Sequence, residues 1–390
     1  MSTENTNVKN FGTAVTRLIN KENMNREEIR DLFYQMLANE QPDMQQGALL
    51  AALAAKGETI EEIAGSWEAI YELDTVKITL ETGNPPVDNC GTGMDSVKTF
   101  NISTAASIIA AAGGITMAKH GARAITSPCG TVDILEELGV DVDCNPEVVK
   151  KSVEKAGIGI FNGTSQKIHP GGLGRILSQI SFGTILNTAA SLANPALPRH
   201  GVRGVYSREM LQSVPRVMGE IGYKKALVVH GLAPELADNC KKGQEVRVPK
   251  IKGLNERGMD EASTLGETLV AELKENGDIN YYSFLPEDMG LKRAGEKDLR
   301  PCGDRKIEAE RLVRLLKGEE NGARQDIACL NAALVLYLMK AAETIKEGVN
   351  LSRDLINSGK AMDKLEEWVA EQNLQPEKGL KIFEALAKNQ

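Results

Sequence analysis

The chain has 390 residues, 42% hydrophobic, 26% charged and 4% aromatic, with a net charge of −8. That is the composition of a globular protein with one large domain or two unequal ones, and the negative balance and scarce aromatics argue against a surface that coats nucleic acid. No apolar run is long enough to span a bilayer, the polar start MSTENTNVKN lacks a signal peptide's apolar core, and six scattered cysteines without CxxC spacing read as reduced thiols in a cytoplasm.

Residues 1–10 are polar and are expected to be disordered. From there to residue 73 everything reads helical. Asn25 with Glu28, and Thr59 with Glu62, have the side chains and spacing of capping boxes, while Pro42 and Gly57 punctuate the helices between them. Ile29, Phe33 and Met36, then Leu49, Leu50 and Leu53, form apolar stripes broad enough for a small helical domain. Such a domain should pack on the remainder of the chain or on a second copy. Residues 81–86, with Gly83, Pro85 and Pro86, make the linker out of it.

The stretch 89–140 organises the larger, second part of the chain. A β-prone run ends at Cys90 and turns at Gly91-Thr92-Gly93, presenting Asp95, Ser96, Lys98 and Thr99. Asn101-Ile102-Ser103-Thr104 then leads into an alanine-rich helix, closed by Gly113-Gly114. Residues 115–118 read as a buried strand with Lys119, His120 and Arg123 at its end. A third turn at Gly130 opens another helix, 131–138. These are two successive strand–loop–helix units whose loops leave one sheet edge. Glycines there admit backbone N–H groups, hydroxyls add donors, and Lys98, Lys119 and Arg123 add positive charge. A phosphorylated ligand is the natural reading.

GTGMDS, KTFNIST, AKHGAR and TVDILEELGV resemble, in order, the phrases GTGGDG, TFNIST, AKHGNR and ADxLExLGV of the anthranilate phosphoribosyltransferase family. The resemblance implies phosphoribosyl pyrophosphate as donor, Mg2+ as cofactor and a small aromatic acceptor. By resemblance Gly91, Gly93, Asp95, Asn101, Ser103, Thr104 and Lys119 line the phosphoribosyl site. Ser96 is counted with them, although Met94 and Ser96 replace two glycines and stiffen the loop. Further on, Asp260-Glu261 stands where the family has its magnesium pair, so Ser103, Asp260 and Glu261 are the candidate metal ligands. Lys119 and His120 are the catalytic candidates; His120 is a general acid–base group or a positioning group for the acceptor, and positioning is favoured. His169, His200 and His230 are weighed as structural residues.

The remaining chain continues the likeness. Residues 157–161 read as a strand, followed by His169-Pro170, a Ser/Thr/Ala-rich segment over 176–192 and Asn194-Pro195. A strong strand runs over 226–231. The family usually lacks the segment 232–255, an excursion read as a surface insertion or a lid. A hairpin turns at Asn276-Gly277, and helices follow near 306–316, 326–342, 352–358 and 361–371. The expected fold is α/β. A small N-terminal helical domain spans 11–82, with a returning segment near 172–200. A larger α/β domain over 83–390 has a central mixed sheet of the nucleoside phosphorylase and phosphoribosyltransferase type. The family pairs two subunits through the helical domain, which implies a homodimer.

Departures cluster on the acceptor side. Ala122 replaces the asparagine of KHGN, Leu177-Ser178 stands where an arginine-containing pair is expected, and Ala189-Ala190-Ser191-Leu192 replaces an LGPL phrase. Arg175 lies close enough to replace that arginine. The reading is phosphoribosyl transfer to an aromatic amine or related nitrogen acceptor other than anthranilate. The alternatives are a true anthranilate phosphoribosyltransferase, a nucleoside phosphorylase, and a non-enzymatic nucleic-acid-binding relative.

Overall fold

A computed structural model describes residues 3–123, 130–234 and 257–388. Four helices come first: α1 (Thr3–Ile19), α2 (Arg26–Leu37), α3 (Asp43–Lys56) and α4 (Ile60–Asp74). Helix α1 already begins at Thr3, so the expectation of disorder over 1–10 is corrected from that residue on. Both capping boxes form: the Asn25 side chain accepts from Glu28 N–H and the Thr59 side chain from Glu62 N–H, with the glutamates reaching back to the cap backbones.

The chain then alternates: β1 (Val87–Gly91), α5 (Ile102–Ala112), β2 (Met117–Gly121), α6 (Thr131–Glu137), α7 (Pro146–Ala156) and β3 (Ile158–Asn162). Two short helices, α8 (Leu173–Leu177) and α9 (Leu186–Leu192), precede β4 (His200–Gly204), α10 (Met210–Glu220) and β5 (Lys225–Leu232). After the insertion, most of which lies outside the described residues, come β6 (Gly258–Met259) and the hairpin β7 (Thr268–Leu273) and β8 (Ile279–Phe284). The chain ends in helices: α11 (Glu296–Leu299), α12 (Arg305–Leu316), α13 (Ala323–Leu338), α14 (Ile345–Asn357), α15 (Lys360–Glu371) and α16 (Pro376–Lys388). The sequence reading truncated α14 and missed α16, whose Phe383 and Leu386 join the core.

The sheet runs β3-β2-β1-β4-β5-β7-β8, with β6 also paired to β5. The first five strands are parallel and the hairpin is antiparallel, so the sheet is mixed. The chain moves outward from β1 to β2 and β3, then returns to lay β4 on the other side of β1. In open α/β sheets ligands sit beyond the carboxyl ends of strands at such a reversal. Here that point lies between Gly91 of β1 and Gly204 of β4. Alanines let α5 lie close beneath: Ala105, Ala106 and Ala110 are fully buried, and α13 packs against the same helix.

The apolar stripes of the helical domain are covered within one chain. Leu173, Ile176, Leu186, Ala189 and Leu192 of α8 and α9 pack into the same core as Phe33, Leu49 and Leu53, together with α10 and β5. Trp67 Nε1–H donates to the Leu192 carbonyl at 3.0 Å, tying α4 to α9. The surplus of apolar surface that the sequence offered as a reason for dimerisation is therefore absent from these stripes. No helix among the described residues is long and apolar enough to cross a membrane.

Candidate active site

Asp260 and Glu261 follow β6 and sit at the reversal point. A Cβ on Gly91 would land on the Asp260 carboxylate and one on Gly204 on its backbone carbonyl, so both strand ends need glycine for the acids to approach. Asp260 Oδ2 accepts the Gly93 N–H at 2.6 Å. Asp95, from the loop after β1, completes a group of three carboxylates with oxygens within 4.8 Å of one another. Ser96 fixes that loop by exchanging bonds with Gly258, accepting its N–H at 3.0 Å and donating to its carbonyl at 3.2 Å. Met94 stands at φ 69°, a left-handed conformation that glycine adopts freely and a side chain resists. The stiffening expected from the sequence is thus local backbone strain.

Burial beside Asp260 disfavours the charges of Asp95 and Glu261. Burial first, then the charge on Asp260, pushes Asp95 up to about 7, against the pull of Lys98 at 3.2 Å. Glu261 is raised well above the usual carboxylate range by burial and then by Asp260 and Asp95. Its Oε2 is buried with no hydrogen-bond partner. A hard cation relieves both features at once, and oxygen donors of this kind fit Mg2+.

Lys119 lies inside the sheet, fully buried, and not merely at a strand end. Its Nζ donates to the Asn89 carbonyl at 2.5 Å and reaches Ser103 Oγ at 3.4 Å, and burial lowers its pKa. Asn101 and Ser103 are half-buried at the start of α5. Thr104, next in α5, is fully buried, and its hydroxyl lacks a partner. Arg123 does not join the phosphate-side cations, because its guanidinium is held by Glu136, Asp133 and Asp143.

Beside the carboxylates opens a cavity of about 280 Å³, bounded by Gly91 and Gly93 on one side and by α8, α9 and the loop between them on the other. Leu173, Leu177, Ile180, Phe182, Leu186 and Ala190 give it an apolar wall, and Ala122 offers no hydrogen-bonding side chain. Arg175 is a correction. Leu173, Ile176 and Leu177 take one face of the single turn of α8 and leave Arg175 on the other, where it donates to Asp43, Gln46 and the Met36 carbonyl at 2.8–3.0 Å. It is absent from the cavity wall among the described residues.

His120 and His169 line the same cavity, Nε2 to Nε2 at 3.2 Å. The sequence reading treats His169 as structural; the His169-Pro170 phrase after a strand and loop is the signal that could have placed it. Sequence reasoning also passes over Arg203, fully buried on β4 and paired with Asp88 at 3.3 Å, and Asn187, which donates to the Thr92 carbonyl. His230 is internal, facing the Val205 carbonyl at 2.8 Å.

Residues 13–73 match the helical bundle domain of a glycosyl transferase family, and residues 83–250 and 232–362 match that family's a/b domain. The anthranilate phosphoribosyltransferase of Thermoanaerobacter sp. (strain X514) is 35% identical over 354 residues, covering 91% of this chain and 96% of that protein. The chain belongs to the anthranilate phosphoribosyltransferase family. The crystal structure of the family's enzyme from Thermus thermophilus superposes with a TM-score of 0.77 at 32% identity, covering 92% of this chain and 99% of that one. The Saccharomyces cerevisiae enzyme, in complex with PRPP and Mg, shares the fold with a TM-score of 0.76 at 22% identity, covering 93% and 98%. Membership of the family makes this protein a phosphoribosyltransferase.

Proposed function

We propose that the protein transfers the 5-phosphoribosyl group of phosphoribosyl pyrophosphate to the nitrogen of a small uncharged aromatic amine, releasing pyrophosphate, and that anthranilate is at most a poor acceptor. One observation carries the choice of acceptor: Arg175 is bound to Asp43, Gln46 and Met36 and stays out of a cavity whose α8–α9 side is mainly apolar, with Ser181, Thr184, Asn187 and Ser191 as its polar groups. Among the described cavity residues Arg123 is the sole arginine or lysine, and three carboxylates already occupy it. A carboxylate on the acceptor would find hydroxyl, amide and imidazole groups there but no free arginine or lysine among the described residues, and so would lack the charge-assisted contact that repays its burial.

The donor half requires that charge leaving with pyrophosphate be stabilised while C1 is held in line with its nucleophile. Asp95, Asp260 and Glu261 would hold Mg2+, and the ion would supply charge neutralisation for the departing group; Ser103, the remaining candidate ligand, lies against Lys119. Gly91 and Gly93 keep the floor open to backbone approach. Lys119, held by Asn89 and Ser103, places its amino group at the same strand-end crevice.

A second reading, anthranilate itself, is favoured by the names of the relatives, at about a third identity. Steady-state kinetics separates the two. With Mg2+ and phosphoribosyl pyrophosphate, aniline-type amines should release pyrophosphate efficiently, and anthranilate should fall well below ~10⁴ M⁻¹s⁻¹, the lower end for ordinary enzymes. Anthranilate at or above that value overturns the acceptor assignment. Pairing of two copies through the helical domain is part of this reading. Ile19, Met44 and Leu73 are its exposed apolar side chains there, and sedimentation showing a compact monomer at micromolar concentration would end it.

A further inference from the structure

We infer that His120 and His169 act as one unit that accepts the proton released when the acceptor amine attacks C1. The inference rests on phosphoribosyl transfer to an amine, the function proposed for this site. It comes from counting protons along a row of contacts. His169 Nδ1 faces the Asp74 carbonyl at 2.7 Å, the two Nε2 atoms meet at 3.2 Å, and His120 Nδ1 faces the Ser191 carbonyl at 3.4 Å.

A carbonyl oxygen only accepts, so each outer contact needs an N–H, and the contact between two ring nitrogens needs one as well. Two neutral imidazoles carry two such protons for three contacts. Whatever tautomers are chosen, one contact is left with lone pair against lone pair. Thr75 Oγ1, which donates to the Ile70 carbonyl, also faces His169 Nδ1 at 3.3 Å, so this nitrogen carries a proton. The shortfall therefore lies at the Nε2–Nε2 contact or at His120 Nδ1, and a third proton completes the row.

Both rings line the cavity and are otherwise sealed, at 5% and 2% exposure. The groups around the pair are Asp74 on the α4 side, Asp88, whose Oδ1 accepts the His120 backbone N–H at 3.2 Å, and the buried cations Lys119 and Arg203. Burial, then His169, holds His120 down to about 3, with Lys119 and Arg203 pushing the same way, and burial lowers His169 against Asp74. The pair is thus neutral and one proton short at neutral pH, and returns the proton readily to water.

In the step itself the amine lone pair forms the N–C1 bond while the C1–O bond to pyrophosphate breaks and the oxygen keeps the electron pair. The nitrogen, now positive, gives one N–H proton to the histidine pair, which passes it to water as product leaves. His120 is the acceptor of the pair; His169 is a positioning residue that fixes where the shared proton lies.

The test uses the full chain with Mg2+, phosphoribosyl pyrophosphate and aniline. His120→Ala should lower kcat by about 10²–10⁴-fold, the usual worth of a general base, with KM for phosphoribosyl pyrophosphate within threefold and activity partly restored by added imidazole. His169→Gln keeps a hydrogen-bonding group against His120 but cannot share a proton, and should lower kcat at least about tenfold and shift the pH profile, with thermal stability near wild type. Either variant keeping kcat within twofold overturns the inference, as does loss in His120→Ala that imidazole leaves unrepaired. A wild-type protein that releases no pyrophosphate with any aromatic amine overturns the functional reading itself, and the inference with it.

Discussion

The two halves of the active site are built on opposite principles. The donor half crowds Asp95, Asp260, Glu261, Lys98 and Lys119 around two glycine-tipped strand ends, whereas the acceptor half is a mainly apolar wall with a histidine pair and uncharged polar groups such as Thr184, Asn187 and Ser191. Charge on the donor side is set by the loops after β1 and β6 and by Lys119 within β2, all tied to the sheet. The acceptor wall comes from α8, α9 and the loop between them, where side-chain exchange alters shape and polarity without touching the sheet.

The largest effect expected on this contrast comes from the acids. Asp260→Ala with Glu261→Ala should weaken Mg2+-dependent binding of phosphoribosyl pyrophosphate more than about a hundredfold, since charge-assisted contacts of ~1.5–3 kcal/mol are lost together. Calorimetry with and without Mg2+ reads it, and unchanged affinity would remove the pair from the donor half. Gly91→Ala should cost about tenfold in the same assay while leaving acceptor KM alone, because its Cβ displaces the Asp260 carboxylate.

The pH dependence sharpens the same point. Asp95 ionises near 7 in the folded chain and near its ordinary 3.8 in the unfolded one. Between those values the folded state holds the extra proton, so this contribution to stability is full at the acid end and lost as pH rises through about 7. A bound cation needs the carboxylates ionised and reverses the trend. Mg2+ should therefore raise the melting temperature by several degrees at pH 8 and very little at pH 5.5; equal shifts at both would separate the metal from Asp95.

The smallest effect belongs to Arg175→Ala. The side chain is partly exposed and pairs with Asp43 as well as Gln46 and Met36, so about 1 kcal/mol, or about 1 °C in melting temperature for a chain of this length, should be lost. Acceptor kcat/KM should stay within twofold. A large rise in acceptor KM would return Arg175 to the pocket and blur the contrast.

The fold around the donor half was legible because its signals are local: Gly91, Gly93, Asn101, Ser103 and Lys119 sit in short phrases whose spacing already implies a strand, a turn and a helix start. Arg175 was misplaced because one turn of helix gives no periodicity to read from outside, although the apolar Leu173, Ile176 and Leu177 do mark the buried side. His169 gains its role from His120, 49 residues earlier, and from Asp74, 95 residues earlier, and no local pattern carries such a meeting.

Asp74 is the last residue of α4, and its buried carboxylate accepts the backbone N–H groups of Gly171 and Leu173 while its carbonyl takes His169. Gly172 presses on the backbone of Leu37, leaving no room for a side chain. The turn that carries His169 is therefore riveted to the bundle, whereas His120 belongs to a strand of the sheet. Their contact crosses the seam between the two bodies and serves as a gauge of its closure. Parting the bundle from the sheet by even an ångström would stretch 3.2 Å beyond hydrogen-bonding reach. A substitution in the crossings at 75–86 or 193–199 can thus silence turnover with every side chain of the pocket still in place.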